Sequence, residues 1–475
     1  MVRVSAGAVR GSEQDGISVF KGIPYARSPF GEHRLAAPVP AEPWEGTREA
    51  TAFGPRPPQA TLIAGTPEWS PAEGLDCLTV NVWTPDLGGS GLPVMVWIYG
   101  GAYRTGSADH PVYDGARLAG DGVVVVTFNY RVSVEGFAWF DGAPANRWLL
   151  DQIAALRWVQ ENIAAFGGDP GKVTVFGESA GAGAVACLLS APSARGLFHR
   201  AIAQSVPGPF YTPAMARAVS AAFMRRLGDV SPYTAAPEEL VAASEAFTEE
   251  EMGDEARWGP MAYCPMPFAP VVDGEVLPDT PWNAVADGAG SDIPLIVGFT
   301  RDEFRMFAAM NPEPVDLART LKALAPPDAD VVYRAARPGA AKAELYEVLM
   351  SDWLFRMPSA LLADAHTGPT YAYELTWASP AFGAAVHGLD VPLTFGTLDT
   401  PLTAMLFGEA PEAEGLSWQF RTAWTRFAAT GDPGWPGYDP VEASTHLFDL
   451  EPADVLDPEA FSRALWSERG FPVID

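Results

Sequence analysis

The sequence predicts an α/β fold built on a large, mostly parallel central sheet with helices on both faces. Three observations carry this. Strand-like and helix-like stretches alternate through the first half of the 475 residues. Several strands read as nearly continuous apolar runs, the pattern of strands covered on both faces. No tandem repeat or low-complexity linker divides the chain, so residues 1–475 are expected to form a single domain.

Each element follows from its own pattern. LTVNVW (78–83), PVMVWIY (93–99) and VVVVTFNY (123–130) are β-branched and aromatic, as strands are. LLDQIAALRWVQENIAAF (149–166) carries Leu149, Ile153, Leu156, Val159 and Ile163 at helical spacing, and Gly167-Gly168 with Pro170 stop it. KVTVF (172–176) is the next strand and AGAGAVACLLS (180–190) a tightly packed helix. AIAQS (201–205), IPLIVGF (293–299) and TYAYELTWAS (370–379) supply further strands. Alternation of this kind implies a parallel sheet. Residues 208–265 and 308–366, rich in Ala, Glu, Leu and Met, break the alternation and are expected as helical insertions over the sheet's edge. Ligands of such sheets bind beyond the carboxyl ends of the strands.

Composition narrows the function. Against 59 acidic side chains stand 31 basic ones, a net charge of −28. That disfavours nucleic acid and anionic membrane surfaces, both of which reward basic patches. Cys77, Cys187 and Cys264 are odd in number, far apart and without metal-ligand spacing, so neither a disulfide framework nor a bound metal is expected. The N-terminal stretch has no apolar core of a signal peptide and no 18-residue apolar run occurs. The expectation is a soluble cytoplasmic protein; a secreted chain whose signal had been removed would read the same. Monomer and homodimer are left open.

The chemistry centres on TVFGESAGAG (174–183). Gly177-x-Ser179-x-Gly181 lies between a predicted strand and a predicted helix, the context of a nucleophile elbow. A sharp turn there lifts a serine hydroxyl above the sheet, and the helix N-terminus presents the Ala180 N–H to a developing negative charge. The overlapping Gly181-x-Gly183-x-x-Ala186 resembles a dinucleotide fingerprint. However, its first glycine falls after the turn, and no carboxylate stands near RGLFHR (195–200), so no cofactor is expected.

A serine nucleophile needs a base and an orienting acid, here in the chain order serine, acid, histidine. His199 leaves too little chain for an intervening acid, His366 reads as a surface cation ending a helix, and His446 as a strand histidine. His387, in the glycine-flanked loop GAAVHGLDVPLTFG, is the remaining candidate base. IPLIVGFTRDEFRMF (293–307) offers Asp302 and Glu303 at a strand's carboxyl end, and spacing alone does not choose between them. VMVWIYGGAYRTG (94–106) ends a strand in Gly100-Gly101-Ala102, small residues that expose backbone N–H donors for an oxyanion.

With these residues assembled, the chain resembles type-B carboxylesterases, the carboxylesterase/cholinesterase family of α/β-hydrolases, almost end to end. KGIPYA (21–26), LDCLTVNVW (75–83), NYRV (129–132), GFTRDEF, AVHGLDVPLTFG and AWTRFAATGDP (423–433) join the motifs above in carrying the likeness. The resemblance implies the acid is Glu303 and the oxyanion donors are the N–H groups of Gly101, Ala102 and Ala180. It also implies that Ser205 supports the acid from behind and that Glu178 is structural. Three departures stand out: Phe304 replaces a usual glycine, Ala102 a usual third glycine, and Cys77 lacks its usual partner, which implies a free thiol.

The expected function is carboxylic-ester hydrolysis through an acyl-enzyme, without metal or cofactor, on a small-molecule ester. Aromatic residues near the motifs (Tyr103, Trp139, Phe140, Phe304, Phe395) and the acidic chain point to uncharged or cationic substrates of small to medium size. Two alternatives share the motifs: an amidase, carbamate or lactone hydrolase with the same triad, and a non-catalytic interaction protein of the same fold, which would be expected to show a damaged triad.

Overall fold

The computed structural model describes residues 1–61, 69–264, 266–310, 315–467 and 469–475. Through them runs an 11-stranded sheet. Its strands, in spatial order, are Ser12–Gln14, Ile17–Pro24, Thr79–Thr84, Val124–Phe128, Leu92–Ile98, Gly168–Glu178, Arg200–Gln204, Leu295–Thr300, Thr370–Leu375, Ser444–Phe448 and Ala453–Leu456. From Val124–Phe128 to Ser444–Phe448 every neighbouring pair is parallel, and the pairs outside this run are antiparallel. A separate three-stranded sheet holds Val2–Val4, Gly7–Arg10 and Thr47–Glu49.

The central strands are buried along their whole length, as in VVVTF and LIVGFT, because helices cover both faces. The edge strands are short and largely exposed: all three residues of Ser12–Gln14 and three of the four of Ala453–Leu456 are exposed. Such edges resist pairing with other chains, and they leave no apolar signal in the sequence.

The helix Arg147–Asn162 continues as a 3-10 turn, Ile163–Phe166, and ends at Gly167, whose φ of 87° is the left-handed stop that glycine tolerates. It is fastened by a buried ion pair: Arg131 Nε and Nη2 donate to Asp151 at 2.8 and 2.7 Å, with both side chains fully buried. Breaking such a pair strands a charge and costs about 3–5 kcal/mol.

Between 208 and 265 lie the helices Pro213–Leu227, Pro237–Glu251 and Glu255–Trp258. Between 308 and 366 lie Leu317–Leu324, Ala329–Ala336, Lys342–Ser351 and Met357–Ala365, the last two joined by a π-helical turn, Asp352–Arg356. Residues 265 and 311–314, which fall in these two stretches, lie outside the described residues. Cys77, Cys187 and Cys264 are buried free thiols. Among the described residues no helix is long and apolar enough to cross a membrane.

Candidate active site

Five adjacent parallel strands end in the residues singled out from the sequence. Leu92–Ile98 is followed by Gly100–Ala102, Gly168–Glu178 by Ser179, Arg200–Gln204 by Ser205, and Leu295–Thr300 by Glu303. Thr370–Leu375 leads into the loop carrying His387. Parallel strands about 4.8 Å apart bring all these carboxyl ends to one edge.

Ser179 occupies the turn between strand and helix with φ 57° and ψ −125°, a strained conformation for a non-glycine residue. Its backbone is pinned: its N–H donates to Gln204 O at 2.8 Å and its carbonyl accepts from Gly183 N at 3.0 Å. The glycine at 181 is required by close approach, since a Cβ there would lie 2.0 Å from Ile98 O.

The glycine loop after Leu92–Ile98 packs directly on this elbow. A Cβ on Gly100 would stand 3.0 Å from Ser179 Cβ and 3.1 Å from Glu178 Oε2. Gly101 and Ala102 both have positive φ, 123° and 54°. The Gly101 carbonyl accepts from Arg104 and Thr105 N–H groups at 3.0 Å each. Among the described residues, the N–H groups of Gly101, Ala102 and Ala180 donate to no protein acceptor. Unpaired donors on a strained loop beside a helix N-terminus are suited to receiving an oxyanion.

Glu303 is fully buried and accepts three hydrogen bonds. Ser205 Oγ donates to Oε1 at 2.5 Å, Thr300 N to Oε1 at 3.0 Å, and His387 Nδ1 to Oε2 at 2.5 Å. Asp302 does something different. Its N–H donates to Ala385 O at 2.9 Å and its Oδ2 accepts from Ala385 N at 3.1 Å. One carboxylate holds the imidazole while its neighbour ties down the loop that carries it. Sequence spacing does not separate these two roles.

His387 Nε2 lies 3.1 Å from Glu178 Oε1, and among the described residues the Ser179 hydroxyl makes no hydrogen bond to it. Glu178, expected from the resemblance to be structural, thus faces the imidazole across this distance. Burial draws the His387 imidazole down, but Glu178 and Glu303 outweigh it and push it up to about 9. Burial pushes the Glu178 carboxyl up, with His387 opposing. Asp390, also buried, accepts from Tyr373 OH at 2.7 Å and adds negative charge nearby.

The other histidines are occupied elsewhere. His199 Nδ1 accepts from Val173 N at 3.3 Å, and His446 Nδ1 bonds Asp454 at 2.7 Å while stacking on Trp435. His366 corrects an expectation. It is buried, bonded to Thr370 Oγ1 and Gly290 O, and burial lowers its pKa, so it is not a surface cation.

Two of the aromatics expected at the pocket also belong to the core. Phe395 is buried against Trp97 and Phe176, and Tyr103 against Phe137 and Trp148. Half-buried Phe304 packs edge-on to Tyr346, and its N–H donates to Ser351 Oγ at 3.0 Å. The rings that flank His387 are Phe355, stacked with centroids 4.2 Å apart, and Phe307 at 5.4 Å. Neither stands out in the sequence, because both sit in helical segments whose aromatic residues read as ordinary core.

A family model described as "Carboxylesterase family" matches residues 1–452. The chain belongs to the carboxylesterase family. It is 39% identical to a para-nitrobenzyl esterase of Bacillus subtilis (strain 168), over 98% of this chain and 97% of the relative. It is 35% identical to a phenmedipham hydrolase of Pseudarthrobacter oxydans, over 96% of each. Among solved structures, a PNB esterase superposes with a TM-score of 0.87 at 37% identity, covering 98% of both chains. A Geobacillus stearothermophilus carboxylesterase gives 0.86 at 37% identity, covering 98% of this chain and 99% of the other. The fold is that of the α/β-hydrolases, and this carboxylesterase is a carboxylic-ester hydrolase.

Proposed function

We propose that Ser179 is the nucleophile, His387 the general base and acid, and Glu303 the acid that orients it, with the N–H groups of Gly101, Ala102 and Ala180 as the oxyanion hole. The observation that supports this reading best is the Glu303–His387 contact at 2.5 Å on the sheet edge that also carries the strained Ser179. Glu303 fixes Nδ1–H, which leaves Nε2 to act on the hydroxyl. Glu178 and Ser179 both approach the same point above Gly100, so Nε2 beside Glu178 lies next to the elbow. Catalytic hydrogen bonds commonly tighten only in the substrate complex.

In this mechanism His387 takes the Ser179 proton as Oγ attacks the ester carbonyl. The tetrahedral oxyanion is held by the three N–H groups, and the imidazolium then protonates the departing alcohol. Water, deprotonated by His387, attacks the acyl-enzyme and releases the acid. No step calls on a metal or organic cofactor.

The substrate in this reading is a small-molecule ester, in keeping with the ester-cleaving relatives. Phe307, Phe355 and Phe304 favour uncharged or cationic groups near an acidic site. Ser205 backs the acid. A single domain with its helical insertions near the site, acting in the cytoplasm without nucleic acid or membrane, completes the reading; the free buried thiols and the net charge of −28 support it.

The test compares wild type and Ser179→Ala on p-nitrophenyl acetate, butyrate and octanoate. Turnover that falls by about 10⁶ in kcat, to background, is the expected result. Equal rates in the two proteins would remove Ser179 from the mechanism.

A further inference from the structure

The helical stretch Lys342–Ala365 touches the base once and the backbone on either side of the acid twice. Ser351 Oγ accepts from Phe304 N at 3.0 Å, just past Glu303. Phe355 stacks on the His387 ring, 4.2 Å between centroids and 26° between planes. Arg356 Nη1 donates to Arg301 O at 3.0 Å, on the near side of Glu303. The turn that carries the acid is therefore held at both ends, and the base is held by its face.

An α-helix could not supply all three contacts. At 3.6 residues per turn, the position five residues after Ser351 would lie about 140° around the axis from it. The i→i+5 repeat of a π turn brings that position back over the first. The turn Asp352–Arg356 is π-helical, closed by Met357 N–H donating to Asp352 O. Its cause is in the sequence: Pro358 has no N–H for Leu354 O, which accepts instead from Gly208 N at 3.0 Å.

Arg356, itself buried, is locked in place by Asp352, 2.9 Å from its Nε, and by Glu459. Asp352 in turn accepts from Tyr333 OH at 2.9 Å and Ser462 Oγ at 2.5 Å. None of these groups reaches Ser179, so the network has no chemical step of its own to perform.

We propose that this π-helical turn is a positioning element for the acid–base pair, with Phe355 holding the His387 imidazole by its face while Ser351 and Arg356 hold the turn bearing Glu303. The proposal rests on the reading of Glu303 and His387 as acid and base. An aromatic face also attracts a cation, so Phe355 favours the imidazolium that forms during attack over the neutral ring. Phe355 acts in this alongside Glu178, Glu303 and Asp390, which face His387 from other elements.

The test uses Phe355→Leu, Phe355→Tyr and Ser351→Ala, with Ser179→Ala as reference, on p-nitrophenyl acetate, whose acyl group is too small to depend on pocket size. Phe355→Leu is expected to lower kcat about tenfold with KM changed less than about twofold, and to move the low-pH limb of kcat/KM to lower pH. Phe355→Tyr keeps the ring face and should restore both. Ser351→Ala, which leaves the ring in place, should lower kcat without moving the limb. An unmoved limb and unchanged kcat in Phe355→Leu, a loss confined to KM, or a loss that Tyr does not rescue would each overturn the proposal. If Ser179→Ala itself retained activity, the triad reading would fail instead, and the two failures are distinguishable.

Discussion

The two halves of the site are built in different ways. The nucleophile half lies on two neighbouring strand ends, with Gly177, Ser179 and Gly181 on one and Gly100–Ala102 on the other, and short-range sterics shape most of it. The strain at Ser179 is set by the strand and helix on either side of it, and the glycines are fixed by close backbone approach. The acid–base half joins Ser205, Glu303, Ser351, Phe355 and His387, which stand far apart in the sequence and meet only through the sheet and the 342–365 helical stretch. A local motif tolerates little change within itself, whereas an assembled one can be loosened gradually from its surroundings.

The sharpest way to break this contrast is on the assembled side. Glu303→Gln should cost about 10³–10⁴ in kcat, because Gln cannot hold the imidazolium as a carboxylate does. Asp302→Asn should cost only a small part of that, since Asp302 secures Ala385 and does not touch His387. Steady-state kinetics on one ester decides the pair, and the reverse order would exchange the two roles.

On the local side, Gly101→Ala should be the most damaging small change. Its Cβ would sit 2.2 Å from Thr105 O at a φ of 123°, so the oxyanion loop must shift. A displaced donor of this kind costs about 10²–10³ in kcat. Thermal melting close to wild type, together with a kcat also close to wild type, would show that the loop adapts and that the nucleophile half is less rigid than its geometry indicates.

Glu178 links the two halves, and its effect should be the smallest in rate but distinct in pH. His387 serves as a base only when neutral, so activity rises as pH climbs through its pKa. Burial lowers that pKa, and Glu178, Glu303 and Asp390 together raise it more, to about 9. Glu178→Gln removes that negative charge, so the low-pH limb of kcat/KM should move to lower pH. A limb that stays in place would mean that the imidazole is set without Glu178.

Legibility follows the same division. The central strands are readable because burial on both faces leaves long apolar runs such as VVVVTFNY. The short, largely exposed edge strands Ser12–Gln14 and Ala453–Leu456 carry no such signal. Ser179 and the glycine loop are visible as spacing. His366, which reads as a surface cation, is buried by Gly290 and Thr370, which come from a separate loop and the next strand. Phe395, on the helix Asp390–Phe395, and Tyr103, in the turn after Leu92–Ile98, lie close to the motifs in sequence yet face the core.

The sequence by itself determined the α/β order of elements, the serine turn, the candidate base and the two candidate carboxylates, because local pattern marks each strand, helix and turn and chain order leaves His387 as the base. Only the tertiary structure decided that Glu303 grips His387 while Asp302 fastens its loop, that Glu178 faces the imidazole, and that Phe355 stacks upon it. Those contacts depend on how parallel strand ends align at one edge of the sheet and on where the π turn before Pro358 docks against them, and that alignment is not encoded in any single short stretch of chain.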